Sequence, residues 1–308
     1  MNFRLHPALV VALVLALCAG IILGLAILRA RRAATVDDLA SYLPAEQGVI
    51  LAIDFASLRQ TGLLAALGGS SVAQEPEYVS FVQDTGFDYQ EDLDYGLAWF
   101  RKGTACLLLK GRFDWSRLKN YASAQEGVCR NSFCRVEGAT ANRRISFFPL
   151  TSSTMALAVG PDEWAATILM KRKPARRGMN VPGQPVWLSV PATAFEDAES
   201  LPSGTRLFAK AMQGAETVTL SLTTAEGRMA IQLDASCRSS EDASTLAFQL
   251  DGVTRILKEM IAQEGQTPNS RDLSGVLAAG VFNRVDRRVL GRWPVEREFL
   301  ESILGVSR

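Results

Sequence analysis

The 308 residues carry 33 Lys and Arg against 32 Asp and Glu, a formal charge of +1, which argues against a nucleic-acid binder steered by global charge. Hydrophobic residues make up 48% of the chain, too many for a disordered polymer and enough for a globular body plus one membrane helix. The one histidine is His6, so Ser-His-Asp and Cys-His catalysis, HExxH zinc sites and the two-His facial triad are excluded from all that follows it.

Pro7 to Leu28 is an unbroken apolar run of about 22 residues, enough for one helical crossing of a bilayer. It stops at Arg29, Arg31 and Arg32, which form a basic membrane flank. A cleaved signal peptide has a shorter apolar core and a small-x-small cleavage site, whereas here Arg-Ala-Arg-Arg-Ala follows the run. Cys18 is preceded by Leu17 and followed by ten more residues ending at Leu28, which does not suit a lipoprotein signal. Residues 1–35 are therefore expected to be an uncleaved anchor with its basic flank, and lipid is its partner.

The body divides into residues 36–173, a linker at 174–185, and residues 186–308. In the first part, Gly48–Ile53 is a buried strand pattern, followed by helical stretches around Leu58–Leu67 and Pro76–Thr85. Tyr95–Phe100 and Thr104–Lys110 form a hairpin around Arg101-Lys102-Gly103. Asp114 caps a helix from Trp115 to Glu126, closed by Gly127. Ile145–Phe148 with Met155–Val159 is a second hairpin, and a helix is expected from Pro161 with Asp162 and Glu163 in its first turn.

The second part repeats this order. Val186–Val190 is a strand, helical stretches run to Met212, and Thr217–Thr223 pairs with Met229–Ala235 around Ala225-Glu226-Gly227. Ser239 and Asp242 resemble a capping box for a helix reaching Glu264, with Leu246, Leu250, Val253, Leu257, Met260 and Ile261 on one face. Leu277–Arg284 and Val289–Trp293 form a final hairpin, and Pro294 with Glu296 opens a last helix. The long helices end alike, in Ala124-Gln125-Glu126-Gly127 and Ala262-Gln263-Glu264-Gly265. The expected fold is α+β: an N-terminal transmembrane helix followed by two similar, mainly antiparallel sheet-plus-helix units, an internal duplication.

Between the halves, Lys171-Arg172-Lys173-Pro174-Ala175-Arg176-Arg177 and the Pro182-Gly183-Gln184-Pro185 stretch mark the linker. The basic run is read as a helix C-terminus that offsets the dipole and continues into solvated chain. Contact with anionic lipid is the competing reading, disfavoured because the run lies far from the anchor in sequence.

Cys106 and Cys237 read as packing residues. Cys129 and Cys134 bracket Arg130-Asn131-Ser132-Phe133, a polar connection able to bend back and bring two Cα atoms within disulfide range. A zinc site would need a second ligand pair, and no histidine or further cysteine pair supplies one. A disulfide here places the body outside the cytoplasm. The three arginines after the anchor pull the other way under the positive-inside rule; the extracytoplasmic side is the expectation adopted.

Leu43-Pro44-Ala45, Val49–Asp54, Leu58-Arg59, Phe113-Asp114-Trp115 and Gly291-Arg292-Trp293-Pro294 together resemble a group of membrane-anchored bacterial proteins with domains of unknown function. The resemblance implies this architecture and adds no catalytic residue. Asp54 is read as a turn cap, Trp115 and Trp293 as seals at core edges, and Asp84, Asp88, Glu91, Asp92 and Asp94 as a solvated acidic loop. With no Walker A, GxGxxG or GxSxG motif, no catalytic, cofactor-binding or metal residue is assigned and no cofactor is expected.

The expected function is a non-enzymatic envelope protein that binds or scaffolds through its paired units, with a protein partner or homo-oligomer and no nucleic acid. The alternative is a membrane-tethered hydrolase or transferase using carboxylate or Ser/Lys chemistry. Full-length protein should remain in the membrane fraction through an alkaline wash; a mature chain beginning near Thr35 by mass spectrometry would refute the anchor.

Overall fold

The computed structural model describes residues 36–67, 75–101, 103–138, 140, 142–173, 181–195, 203–225, 228–296 and 299. The apolar run Pro7–Leu28, its arginine flank and Cys18 lie outside these residues. Among the described residues, no helix is long and apolar enough to cross a membrane.

Twelve strands form one antiparallel sheet. The first half supplies β1 (Val49–Asp54), β2 (Leu93–Arg101), β3 (Thr104–Gly111), β4 (Val128–Arg130), β5 (Phe133–Glu137), β6 (Arg144–Thr151) and β7 (Thr154–Gly160). The second supplies β8 (Val186–Pro191), β9 (Thr217–Ala225), β10 (Arg228–Ser236), β11 (Val281–Val285) and β12 (Arg288–Val295). Their order is β11-β12-β10-β9-β8-β1-β2-β3-β7-β6-β5-β4. The halves therefore do not build separate sheets. They meet where β1 pairs with β8, Leu51 opposite Leu188 and Ala52 opposite Trp187.

Read outward from that seam, the two arms have the same strand order and register. Leu51, Ala98, Leu107, Leu157 and Phe147 stand side by side across the first arm. Leu188, Leu220, Leu233, Gly291 and Phe282 do the same across the second. The first arm carries two additional strands, β4 and β5. They occupy the stretch expected to be a polar connection, where Asn131 (φ 55°) and Ser132 (φ 94°) form the two-residue turn of a tight hairpin.

Helices cover the face that carries Leu51 and Leu188. These are α1 (Val36–Ala40), α2 (Phe55–Gln60), α3 (Leu63–Leu67), α4 (Pro76–Thr85), α5 (Tyr89–Asp92), α6 (Trp115–Ala124), α7 (Ser203–Met212), α8 (Ser240–Gln263) and α9 (Leu273–Ala278), with α1 the exception that crosses to the other side. Asp114 accepts from the Ser116 and Arg117 amides and so starts α6; Ser239 accepts from Asp242 and starts α8. Gly86 (φ 67°) ends α4 in a conformation glycine adopts at little strain. On α8, Leu246, Leu250, Leu257 and Ile261 are buried as the spacing predicts, whereas Met260 is 42% exposed at the margin of that stripe.

Two further expectations are corrected. Leu277–Gly280 is not strand, because Asp272 accepts from the Gly275 amide and opens α9, leaving β11 to begin at Val281. After Pro161 the chain forms a 3₁₀ turn, Ala165–Leu169, rather than an α-helix. The helix expected after Pro294 lies almost wholly outside the described residues; Pro294 itself stands in β12, one residue before its end and beyond the last β11 partner, where a missing N–H leaves no ladder bond broken on that side.

The back face of the sheet differs between the arms. In the first, α1 and the 3₁₀ turn close it: Leu39, Leu43, Ala166 and Leu169 pack on Ile50, Ala52, Leu97, Trp99, Cys106 and Leu108. The Ser146 hydroxyl, fully buried, accepts from the Ala166 amide and docks that turn. Trp187 of the second half is 2% exposed in this same core. Trp187→Ala should therefore lower unfolding free energy by about 3–5 kcal/mol in urea titration, although Trp187 belongs to the opposite arm.

Candidate functional site

A broad concavity lies where the second arm leaves its back face bare. In the first arm, Ala52-Leu97-Leu108-Ala156-Phe148 and Ile50-Trp99-Cys106-Ala158-Ser146 run across the strands as two back-face rows. The register places Ser189-Thr219-Asp234-Leu290-Asn283 and Trp187-Ser221-Gln232-Arg292-Val281 at the corresponding positions of the second arm. The first pair of rows is apolar except Ser146 and covered. The second pair is largely polar, and forms the floor of an open trough of about 850 Å³ rimmed by Pro182 and Gln184.

Cations dominate the trough. Arg228, Arg288 and Arg292 line it with a single acid, Asp234. Arg288 donates Nε to Asp234 Oδ1 at 2.8 Å and Nη2 to the other oxygen, a fork-shaped pair whose hydrogen bonds push the guanidinium pKa up. Asp234 is thus committed to holding Arg288. Arg292 enters no ion pair among the described residues. Thr219, Ser221, Gln232 and Asn283 add hydroxyl and amide groups, and Leu290, Val281 and Pro294 add apolar surface.

The trough opens at a sheet edge. Among the described residues β11 pairs only with β12, so its outer backbone groups face outward. Val281 and Val285 on this edge are 60% and 50% exposed. The opposite edge, β4, is three residues long and bonded to β5 through Cys129 and Cys134, whose Cα atoms are 4.1 Å apart.

The acidic loop is occupied by structural bonds. Asp88 accepts from the Tyr78 hydroxyl and the Gln90 amide, and Asp92 accepts from the Asp88 amide and from Arg112. Asp54 accepts from the Ser57 amide and caps α2. Among the described residues no group of three or more Asp, Glu, Cys or His gathers in a metal-binding arrangement. Trp115 donates its indole N–H to the Ser152 carbonyl and packs against Phe113, while Trp293 packs edge-on against Phe208 and Phe282. Both seal cores.

A second cavity, of about 680 Å³, lies on the first arm's back face between Glu46, Trp99, Arg101, Asp162, Trp164 and Ile168. Cys106 lies beneath it at 1% exposure. Burial pushes its thiol up to about 11 despite the opposing charge of Lys173, so it is no thiolate nucleophile near neutral pH. Tyr95, nearer the seam, has a buried hydroxyl without a well-formed hydrogen bond. Burial, opposed by Trp187 and reinforced by Asp54, pushes its phenol up to about 12.

No protein-family model and no curated protein matches the chain. Solved structures do resemble it. Crystal form III of TP0453 aligns with a TM-score of 0.52 at 10% identity over 89% of this chain and 100% of that one. Crystal form IV of the same protein aligns with a TM-score of 0.49 at 11% identity, over 88% and 97%. At this identity the likeness establishes the fold alone: a mixed α+β chain built on a large antiparallel sheet.

The two buried acids set a pH dependence. The pKa is 9.0 for the thiol and 10.0 for the phenol when exposed, but about 11 and about 12 in the fold. Their raised values favour the folded state fully below pH 9.0, and the contribution is lost as pH rises through about 12. The urea midpoint should fall over that interval, and Cys106→Ala should flatten its lower part; a midpoint unchanged up to pH 12 would refute the assignment.

Proposed function

We propose that the protein is a membrane-tethered, non-enzymatic envelope protein that captures an extended acidic segment of a partner protein in the trough of its second arm. The observation that carries this reading is the contrast between the two back faces. One backbone register is closed by apolar packing in the first arm and left open, polar and cationic in the second. A merely structural face would gain nothing from Arg292 standing without an acid beside it.

The segment is extended because the trough runs to the free edge of β11. A strand added there satisfies the outer backbone groups and sends alternate side chains toward Val281, Asn283 and Val285. It is acidic because arginines line the trough, Arg292 makes no ion pair among the described residues, and the one acid of the lining, Asp234, is already paired to Arg288.

The tether rests on Pro7–Leu28 and the arginines after it. The Cys129–Cys134 bond supports the extracytoplasmic side, since such bonds persist where the surroundings are oxidising. The shared strand order of the two arms supports their origin as copies of one unit, of which the second has been left open to bind.

The test is anisotropy titration of the full chain, in detergent micelles, with fluorescein-labelled Glu/Val-alternating and Lys/Val-alternating peptides. The acidic peptide should bind and the basic one should not. Arg292→Glu should weaken binding by about tenfold, the scale of one charge-assisted hydrogen bond. Equal affinity for both peptides, or an unchanged affinity in Arg292→Glu, would overturn the reading.

A further inference from the structure

The run Lys171-Arg172-Lys173 is remote in sequence from residues 36–42, the first that the structure describes, but adjacent to them in space. The Lys173 amide donates to the Ser41 carbonyl at 2.7 Å, and its ammonium group donates to the Tyr42 carbonyl at 3.0 Å and the Ile168 carbonyl at 2.6 Å. Arg172 pairs with Asp38, and its guanidinium lies 5.4 Å from the centre of the Tyr42 ring. All these partners except Ile168, which belongs to the 3₁₀ turn, lie in α1 or the turn that follows it. Val36, the first residue of α1, is eight positions after Leu28. However those residues run, they span at most about 29 Å.

Beside this basic run stands an uncovered apolar strip. Trp164, Ile168 and Met170 are 45%, 42% and 47% exposed, while Ala166 and Leu169 between them are fully buried. A 3₁₀ turn repeats every three residues, so Trp164, Thr167 and Met170 share one outer face, with Ile168 next to it. Trp164 is held in place by Phe133, stacked at 5.3 Å, and by the Arg135 guanidinium at 4.2 Å from its ring centre.

The acids near the strip are already engaged. Asp38 holds Arg172, Glu163 binds Arg135 at 2.6 Å and Arg144 at 3.8 Å, and Asp162 accepts from the Trp164 amide. Lys171, exposed, has no acid partner among the described residues. A small apolar patch with an indole at its margin, edged by cations and with Asp38 and Glu163 paired to arginines, matches the boundary between acyl chains and anionic head groups.

We propose that Trp164, Ile168, Met170 and Lys171 form a membrane-contact surface that lays this end of the sheet on anionic phospholipid head groups. The inference rests on the tether reading above and goes beyond it: the body is not only attached to the bilayer but oriented on it. The trough, at the opposite end of the sheet order, is then carried away from the attachment point.

The test uses full-length protein in vesicles of phosphatidylcholine, with and without phosphatidylglycerol, each containing a head-group spin-labelled lipid. All five tryptophans lie beyond Leu28, so quenching reports the body and not the anchor. Quenching is expected in the phosphatidylglycerol vesicles, is largely lost in Trp164→Phe, and falls about twofold in Lys171→Glu. Met170→Asp, at an exposed position that leaves the core intact, should lower it as well. Protein that floats with the vesicles but shows no Trp164-dependent quenching, or equal quenching without phosphatidylglycerol, overturns the surface and leaves the tether standing. Protein that fails to float overturns both.

Discussion

The pairing of β1 with β8 is the contact on which the remaining architecture depends. Around Leu51 and Leu188 it turns two arms of like strand order into one sheet of twelve strands. It also passes a side chain across the seam. Trp187 is donated by the second arm and buried in the core of the first, beside Ala52, Leu97 and Trp99. The core of the first arm is therefore incomplete without a side chain of the second.

That shared sheet allows one scaffold to carry two chemistries. A strand's alternation decides only which residues point to which face. What happens to a face depends on what is laid over it. In the first arm α1 and the 3₁₀ turn cover the back face, and the rows beneath them are apolar. In the second arm the same rows hold Ser, Thr, Gln, Asn, Asp and Arg, and stay open. A polar floor suits a face left to solvent, since the same groups covered without partners would be destabilising.

Much of this was legible in the chain. The hairpins built on β2–β3, β6–β7 and β9–β10 follow from strong alternation around turn residues, and α8 from the stripe beginning at Leu246 together with the Ser239 cap. The β4–β5 hairpin is hard to read because its strands are short and polar and its turn, Asn131-Ser132, contains no glycine although both residues adopt positive φ. Leu277–Gly280 was misread because a short apolar run does not distinguish strand from helix, although Asp272 was there as a cap. The trough and the contact of Arg172 with Asp38 were beyond reach. The first depends on the register between strands, and the second joins residues 134 positions apart.

The two outer strands of the sheet are unequal, and this limits how copies of the chain can associate. A sheet with two usable edges grows head to tail into a filament. Here β4 is short and crosslinked to its neighbour, while β11 offers five residues with two exposed valines. Pairing through β11 can join two molecules about a twofold axis and then has nowhere further to extend. Self-assembly by this route therefore closes at the dimer, and in closing it occupies the same edge that a partner strand would use.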